Sequence, residues 1–311
     1  MSFKSNPLRQ QRRKIIKTGM ATLAVSSAGI LLFGNAENKK LNNVNSDENV
    51  FSGTKKLSAE KNNAELNKEH ETAVRDNLQK VKDFDKTYSE DVFLAKDKHA
   101  IFQSALHRIL RVQKTIGYAN FNLVSFDDML LYAHRFPRVG KFLKAELDLI
   151  DEIFFYDANK YGFYGDKVIK NLTSIINKKE TVKVAGSGHY LFQGEPLMKF
   201  KQLKKDVGPD LVLTSGVRSV VKQIQLFLAK LDSSNGNLSM ASRSLAPPGH
   251  SYHGIGDFDV GKRGFGRNNF TSKFSQTDEY KKLIELKYID LRYTQDNQVG
   301  VRYEPWHIKV V

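Results

Sequence analysis

The sequence predicts an α+β fold, a mostly helical region followed by a segment that carries a small antiparallel sheet with flanking helices. Three observations predict it. Between about residues 90 and 180 the apolar residues recur at helical spacing. After residue 181, runs such as Asp210-Leu211-Val212-Leu213-Thr214 are short, branched and bounded by turn residues, as buried strands are. These strands do not alternate with helices in a βαβ rhythm, which argues against a parallel sheet. No internal repeat is present.

The chain divides into four segments. Residues 1–36 open with Arg12-Arg13-Lys14-Ile15-Ile16-Lys17, continue as an uncharged run from Thr18 to Phe33 and end in Gly34-Asn35-Ala36. A basic start, a short apolar stretch and small residues at the minus-three and minus-one places describe an export signal cleaved after Ala36. The arginine pair followed by Ile-Ile-Lys resembles a twin-arginine signal, with an ordinary Sec signal as the alternative. The apolar run falls short of the ~20 residues that span a bilayer, so no stable membrane span is expected after cleavage. Residues 37–85 are polar and poor in large apolar side chains, which describes a linker.

Residues 86–180 form the helical region. Ile101, Leu106, Ile109, Leu110 and Val112 outline one amphipathic helix; Leu130, Leu131, Phe142, Leu143, Leu147, Ile150, Ile153 and Phe154 belong to further ones. Ser125-Phe126-Asp127-Asp128 reads as a helix start, with a capping serine and acids favoured by the helix dipole. Tyr156, Tyr161, Phe163 and Tyr164 form an aromatic cluster for which helix packing is the expectation and a glycan-stacking surface the alternative.

Residues 181–311 change style. Val182-Lys183-Val184 predicts a short strand, and Leu197, Phe200 and Leu203 have helical spacing. The strand at 210–214 leads into a Ser-Gly turn, then Val220, Val221, Ile224, Phe227, Leu228 and Leu231 share one side of a helix from Ser219 to Leu231. Residues 288–293 and 299–303 flank Asp296-Asn297-Gln298 and predict a hairpin, and Ile308–Val311 a closing strand. Gly261 to Asn269 lacks the Lys-Ser/Thr ending of a phosphate loop and reads as a mobile loop.

The formal charge is +15, of which residues 1–36 carry six basic and no acidic side chains, leaving +9. Such a surface suits nucleic acid, anionic lipid or the acidic polymers of a cell envelope. The export signal favours the last, and no nucleic-acid-binding motif supports the first. Cysteine is absent, so disulfides and thiolate metal sites are excluded and any metal must use nitrogen and oxygen ligands.

The chemistry concentrates in Pro248-Gly249-His250-Ser251-Tyr252-His253-Gly254-Ile255-Gly256-Asp257-Phe258-Asp259 and in Arg302-Tyr303-Glu304-Pro305-Trp306-His307. Together they supply His253 and His307, a carboxylate at Asp259 and a glutamate, Glu304, just ahead of the second histidine. A catalytic zinc needs this set: three protein ligands, an open position for water, and a nearby carboxylate outside the ligand shell to act as general base. Glu304 and His307 face opposite ways on an extended segment, so Pro305 is expected to bend the chain and aim both inward. Trp306 reads as a packing wall for His307. His250 and His189 sit in polar, Gly-rich surroundings; a structural or solvated role is the expectation and lining the cleft the alternative.

Here the chain resembles the VanY-type D-alanyl-D-alanine carboxypeptidases of the LAS group, zinc D,D-peptidases of peptidoglycan. Their pattern is Ser-x-His-x-x-Gly-x-Ala-x-Asp followed by Glu-x-Trp-His. Ser251, His253 and Gly256 match the first half, and Glu304, Trp306 and His307 the second. Thr214-Ser215-Gly216-Val217-Arg218-Ser219 is similar to the family's Ser-Gly-Tyr-Arg-Ser turn, with Gln223 at the usual spacing, and Leu291-Arg292-Tyr293 resembles the strand before the last motif. The likeness covers roughly residues 183–311. It departs at one place: only five residues separate His253 from Asp259 where the family has six, and Asp257 stands at the alanine position. Side chains two apart on a strand share a face, so Asp257 is open to three roles: partner of a ligand, alternative ligand, or substrate contact.

The resemblance implies one zinc per chain held by His253, Asp259 and His307, with Glu304 as general base. It implies that Arg218 grips the terminal carboxylate of the substrate, with Ser251 and Gln223 contributing to substrate binding. The expected function is exported D,D-carboxypeptidase acting on peptidoglycan stem peptides in the periplasm or cell envelope. An endopeptidase of the same polymer and a non-catalytic, metal-stabilised wall-binding module are the alternatives, and no nucleic-acid partner is expected.

Overall fold

The helical spacing after residue 90 becomes α1 (His99–Ile116), α2 (Tyr118–Phe121), α3 (Phe126–Arg135) and α4 (Lys144–Phe155). The computed structural model describes residues 78–311 together with Thr72 and Asp76, so the stretch read as an export signal and most of the stretch read as a linker lie outside the described residues. α1 buries Phe102, Ala105, Leu106, Ile109 and Val112 along one stripe, and it stops at Gly117, whose φ of 90° leaves the helical region. Ser125 caps α3 as expected, its Oγ accepting from the Asp128 N–H at 3.1 Å. α4 carries the buried Glu146, which accepts from Leu143 N and from Arg108 Nε of α1, each at 2.8 Å.

Past residue 181 the chain forms β1 (Thr181–Lys183), β2 (Tyr190–Phe192), α5 (Glu195–Val207), β3 (Leu211–Ser215), α6 (Val220–Ser233) and α7 (Leu238–Ser244). It continues with β4 (Phe258–Lys262), α8 (Asp278–Glu285), β5 (Asp290–Leu291) and β6 (His307–Lys309). β1 and β2 pair antiparallel. The other four strands form one sheet in the order β3-β4-β6-β5, antiparallel at every pairing. The α+β class is therefore observed.

Two apolar clusters hold these elements. One lies under the sheet, where Leu211, Leu213, Phe258, Val260 and Ile308 meet Phe200 and Leu203 of α5, Leu283 of α8, and Trp306. The other joins α1, α3 and α4 to α6, through Val220, Val221, Ile224, Phe227, Leu228 and Leu231. The predicted apolar face of α6 is thus the face that meets the helical region. Tyr161 and Phe163 are buried in the same cluster, and Tyr156 stacks on Tyr161 with centroids 5.7 Å apart. Among the described residues no helix is long and apolar enough to cross a membrane.

Two expectations are corrected. Residues 299–303 are not the second arm of a hairpin, because β5 pairs with β6 instead. The backbone of that stretch is engaged elsewhere: Val299 O accepts from Tyr164 N at 2.9 Å and Arg302 N donates to Arg243 O at 2.9 Å. The segment expected to be a mobile loop at 261–269 begins inside β4. Its far end is pinned, since the Asn269 side-chain amide accepts from Lys262 N at 2.8 Å and donates to Lys262 O at 3.0 Å.

Arg243 on α7 is fully buried and paired with the equally buried Asp91 at 2.7 and 3.0 Å, while also donating to Lys86 O at 2.8 Å. Burial opposes ionisation of Asp91, yet hydrogen bonds from Arg243 and Asn237 outweigh it and hold the carboxyl below its ordinary value. The stability this carboxylate contributes is therefore present above the unfolded pKa of about 4 and lost as pH falls below it. Arg243→Met leaves Asp91 buried without its cation. Its expected cost is about 3–5 kcal/mol of unfolding free energy by denaturant titration near neutral pH; a cost within about 0.5 kcal/mol, as at an ordinary surface position, would refute the pairing as a structural anchor.

Candidate metal centre

β4 decides which side chains meet. Phe258 and Val260 point into the core under the sheet, so Asp257 and Asp259 fall on the opposite face. Asp259 lies directly across from His307 in the β4–β6 register and across from Ser215 in the β3–β4 register, where the ladder shifts between Leu213 and Ser215. Directly opposed residues on antiparallel strands present their side chains together. His253 arrives from the 3-10 turn Tyr252–Gly254 just ahead of β4. The ligand atoms of His253, Asp259 and His307 all lie within 4.8 Å of one another, and all three residues are buried.

The hydrogen bonds fix which atoms face the centre. His253 Nδ1 lies 2.8 Å from Gly216 O, and a carbonyl only accepts, so Nδ1 carries the proton and Nε2 is left with a lone pair. Burial, aided by Arg218, pushes the His253 imidazole down to about 4, so it is neutral at physiological pH. Its Nε2 faces Asp259 Oδ1 at 3.1 Å. Two acceptors at that distance repel unless a cation lies between them.

His307 is the counterpart. Nε2 sits 3.1 Å from Asp257 Oδ2; Nδ1 sits 3.3 Å from Glu304 Oε2 and 3.4 Å from Asp259 Oδ1. Burial disfavours its charge, but Asp257, Glu304 and Asp259 outweigh that and raise its pKa to about 9. Asp259 and Glu304 thus face the ring at Nδ1, while Asp257 holds it from Nε2 on the other side. His253 Nε2, His307 Nδ1 and an Asp259 oxygen are the donor set of a catalytic zinc site, and the residues present fit that ion.

Glu304 is buried beside the cluster. The chain turns from Glu304 to His307 through Pro305-Trp306, with His307 N donating to Glu304 O at 3.1 Å, which is the expected bend. Trp306 is buried against the core and meets Phe270 edge-on at 6.0 Å. Arg218 donates from Nη2 to Asp259 Oδ2 at 2.5 Å and from Nε to Ser215 Oγ at 2.8 Å. Gln223 lies behind it, donating to Arg218 O at 3.1 Å and accepting from Gly249 N at 2.8 Å, so both ends of its amide hold backbone. Ser251 is buried at the start of the His253 turn, its carbonyl accepting from Gly254 N at 3.2 Å.

The contacts of four residues here are not legible in the sequence. Tyr293 packs its ring edge-on against His307 at 4.9 Å, with nothing in its spacing to announce it. Arg292, which lies in the segment read as a hairpin arm, makes two hydrogen bonds to Asp257 at 2.8 and 3.1 Å. His189 is pushed down to about 4 by burial and by Arg218, which makes it a neutral neighbour of the arginine. Gly216 was legible as a turn glycine, but its packing was not: a Cβ there would lie 2.0 Å from Tyr190 O.

Residues 194–311 match the family model of VanY, D-alanyl-D-alanine carboxypeptidase. Comparison with curated proteins gives no match. Among solved structures the chain is similar to the LdcB LD-carboxypeptidase, at 22% identity over 44% of this chain and 70% of that one, TM-score 0.37. It is also similar to VanYB in complex with D-alanine-D-alanine, at 20% identity over 49% and 86%, TM-score 0.38. A third is the zinc complex of the D,D-pentapeptidase VanY from a VanB-type resistance cassette, at 23% identity over 42% and 78%, TM-score 0.34. The VanY match contains β3, α6, β4 and β6, and with them every residue of the cluster.

Gly216 holds His253 by its carbonyl and touches β2 through its missing side chain. Gly216→Ala must displace one or the other. The expected result is a loss of about 1–3 kcal/mol in stability, as for other overpacked sites, together with weaker zinc binding in a chelator competition. Unchanged stability and affinity would show that the close approach to Tyr190 carries no constraint.

Proposed function

We propose that this chain is an exported zinc peptidase that removes the terminal D-alanine from peptidoglycan stem peptides, a D,D-carboxypeptidase with one zinc per chain. One observation carries the reading: within the VanY match, a buried His253–Asp259–His307 cluster has Glu304 against His307 and Arg218 against Asp259. The N-terminal signal, with its paired arginines, supports an envelope location reached by the twin-arginine route. Residues 181–311 are read as the peptidase domain, 86–180 as the helical region that supports it, and 37–85 as the linker.

In this reading His253 Nε2, His307 Nδ1 and Asp259 hold the metal. When bound, zinc acts as a Lewis acid that polarises the scissile carbonyl and makes water nucleophilic near neutral pH. Glu304, which stays out of the ligand set, takes a proton from the attacking water and passes it to the leaving amine. Arg218 fixes the substrate by its terminal carboxylate; among the described residues its Nη1 has no hydrogen-bond partner, and a guanidinium pairs well with a carboxylate. Ser251 and Gln223 shape the two loops that flank that carboxylate. Burial of the cluster keeps competing water away and strengthens each of these contacts.

The test uses the full chain and muropeptides ending in D-Ala-D-Ala, with products read by mass spectrometry. Loss of one alanine, abolished by chelator and restored by zinc, is expected. Glu304→Gln should lower kcat by about 10²–10⁴-fold while zinc stays bound at unchanged stoichiometry. A substrate amidated at its terminus should be cleaved far more slowly than the free acid, because it lacks the charge that Arg218 grips. Cleavage at an internal bond, indifferent to amidation, would move the chain to the endopeptidases. Zinc binding without any cleavage would favour a wall-binding module.

A further inference from the structure

Asp257 stands where the family pattern has alanine, and the contacts around it decide among the three roles the sequence left open. Its Oδ2 accepts from Arg292 Nε at 2.8 Å and faces His307 Nε2 at 3.1 Å. Its Oδ1 accepts from Val310 N at 2.8 Å, Arg292 Nη2 at 3.1 Å and Val311 N at 3.3 Å. A carboxylate has about four lone-pair sites. Five donors leave none for a metal or a substrate, and the residue is buried.

The donors are themselves held. The Arg292 guanidinium lies 3.6 Å from the centroid of the Tyr252 ring and also donates to Val311 O. Val311 packs on the turn ahead of Asp257, where a Cβ on Gly256 would meet Val311 Cγ1 at 3.1 Å. Of the five donors only His307 belongs to the metal cluster. A ring nitrogen that donates to a carboxylate keeps its proton, and the other nitrogen is then the one presented outward. That other nitrogen is Nδ1, facing Asp259 and Glu304.

We infer that Asp257 is a positioning residue: clamped by Arg292 and the Val310–Val311 backbone, it fixes the tautomer and ring orientation in which His307 offers Nδ1 to zinc, and so sets the zinc affinity of the site. The inference rests on the zinc site proposed above and adds to it a support that the family pattern lacks.

Zinc affinity is measured on the full chain by competition with a chromophoric chelator, for the unaltered protein, Asp257→Asn, Arg292→Gln and His253→Ala. Asp257→Asn is expected to bind zinc roughly 10–100-fold more weakly, with Arg292→Gln shifted in the same direction and by less. The visible spectrum of the cobalt-substituted Asp257→Asn protein should change in shape, which a remote loss of stability would not produce. His253→Ala sets the scale for a lost ligand. An Asp257→Asn protein as weak as His253→Ala would make Asp257 a ligand and overturn the inference. Unaltered affinity and cobalt spectrum would overturn it equally. If Asp257→Asn does not fold, the double variant Asp257→Ala/Arg292→Leu removes both buried charges and faces the same expectation. Failure of the unaltered chain to bind zinc at all would refute the site itself, a result distinct from Asp257→Asn behaving as the unaltered chain.

Discussion

Three carboxylates, Asp257, Asp259 and Glu304, are buried within reach of the same imidazole, and most of what surrounds them serves to balance that charge. Ionised groups taken out of water are costly unless each is paired and hydrogen-bonded. Arg218 meets Asp259 from the β3–α6 turn and Arg292 meets Asp257 from the residue after β5. Burial opposes ionisation of both acids, yet their histidine and arginine partners hold both far below the usual carboxylate range. His307 sits where all three fields overlap. A cluster this rich in negative charge and imidazole makes a poor core and a good cation site.

The turn that carries Arg218 is also the turn that holds His253. Arg218 N donates to His253 O at 3.1 Å, while His253 Nδ1 donates to Gly216 O at 2.8 Å, so each residue fixes the backbone of the other. Two neighbours hold the turn in turn. Val217 N donates to Tyr190 O of β2 at 2.7 Å, and Ser219 N donates to Asn122 O of the helical region at 2.8 Å. The apolar face of α6, which starts at this turn, is buried against α1 and α3. The helical region is thus built into the support of the arginine and the first histidine.

Much of this was legible because local rules and the global fold agree. α6 follows from its apolar stripe, β3 from a buried run ended by a Ser-Gly turn, and the shared face of Asp257 and Asp259 from strand alternation. The candidate ligands followed from residue types that a zinc ion needs, in an order matching a known pattern. What spacing does not encode is who stands across the sheet. The Asp259–His307 pairing, the saturation of Asp257 by five donors and the ring of Tyr293 on His307 all arise from non-local contacts.

The misread hairpin shows the same limit at its sharpest. Residues 299–303 have strand composition, and pairing them with 288–293 satisfies every local preference. The fold instead gives their backbone to Tyr164 and Arg243, and Gly300 adopts a φ of 89° that no ladder residue needs. That diversion leaves β5 free to pair with β6, so that His307 lies beside Asp259. It also delivers Glu304 at the end of an irregular stretch, with its N–H on Tyr293 O at 3.0 Å and its carboxylate turned toward His307. A regular hairpin would have continued the alternation and placed Glu304 and His307 on opposite faces. The local preference was overruled at the point where the site required it, which is where such conflicts are expected to concentrate.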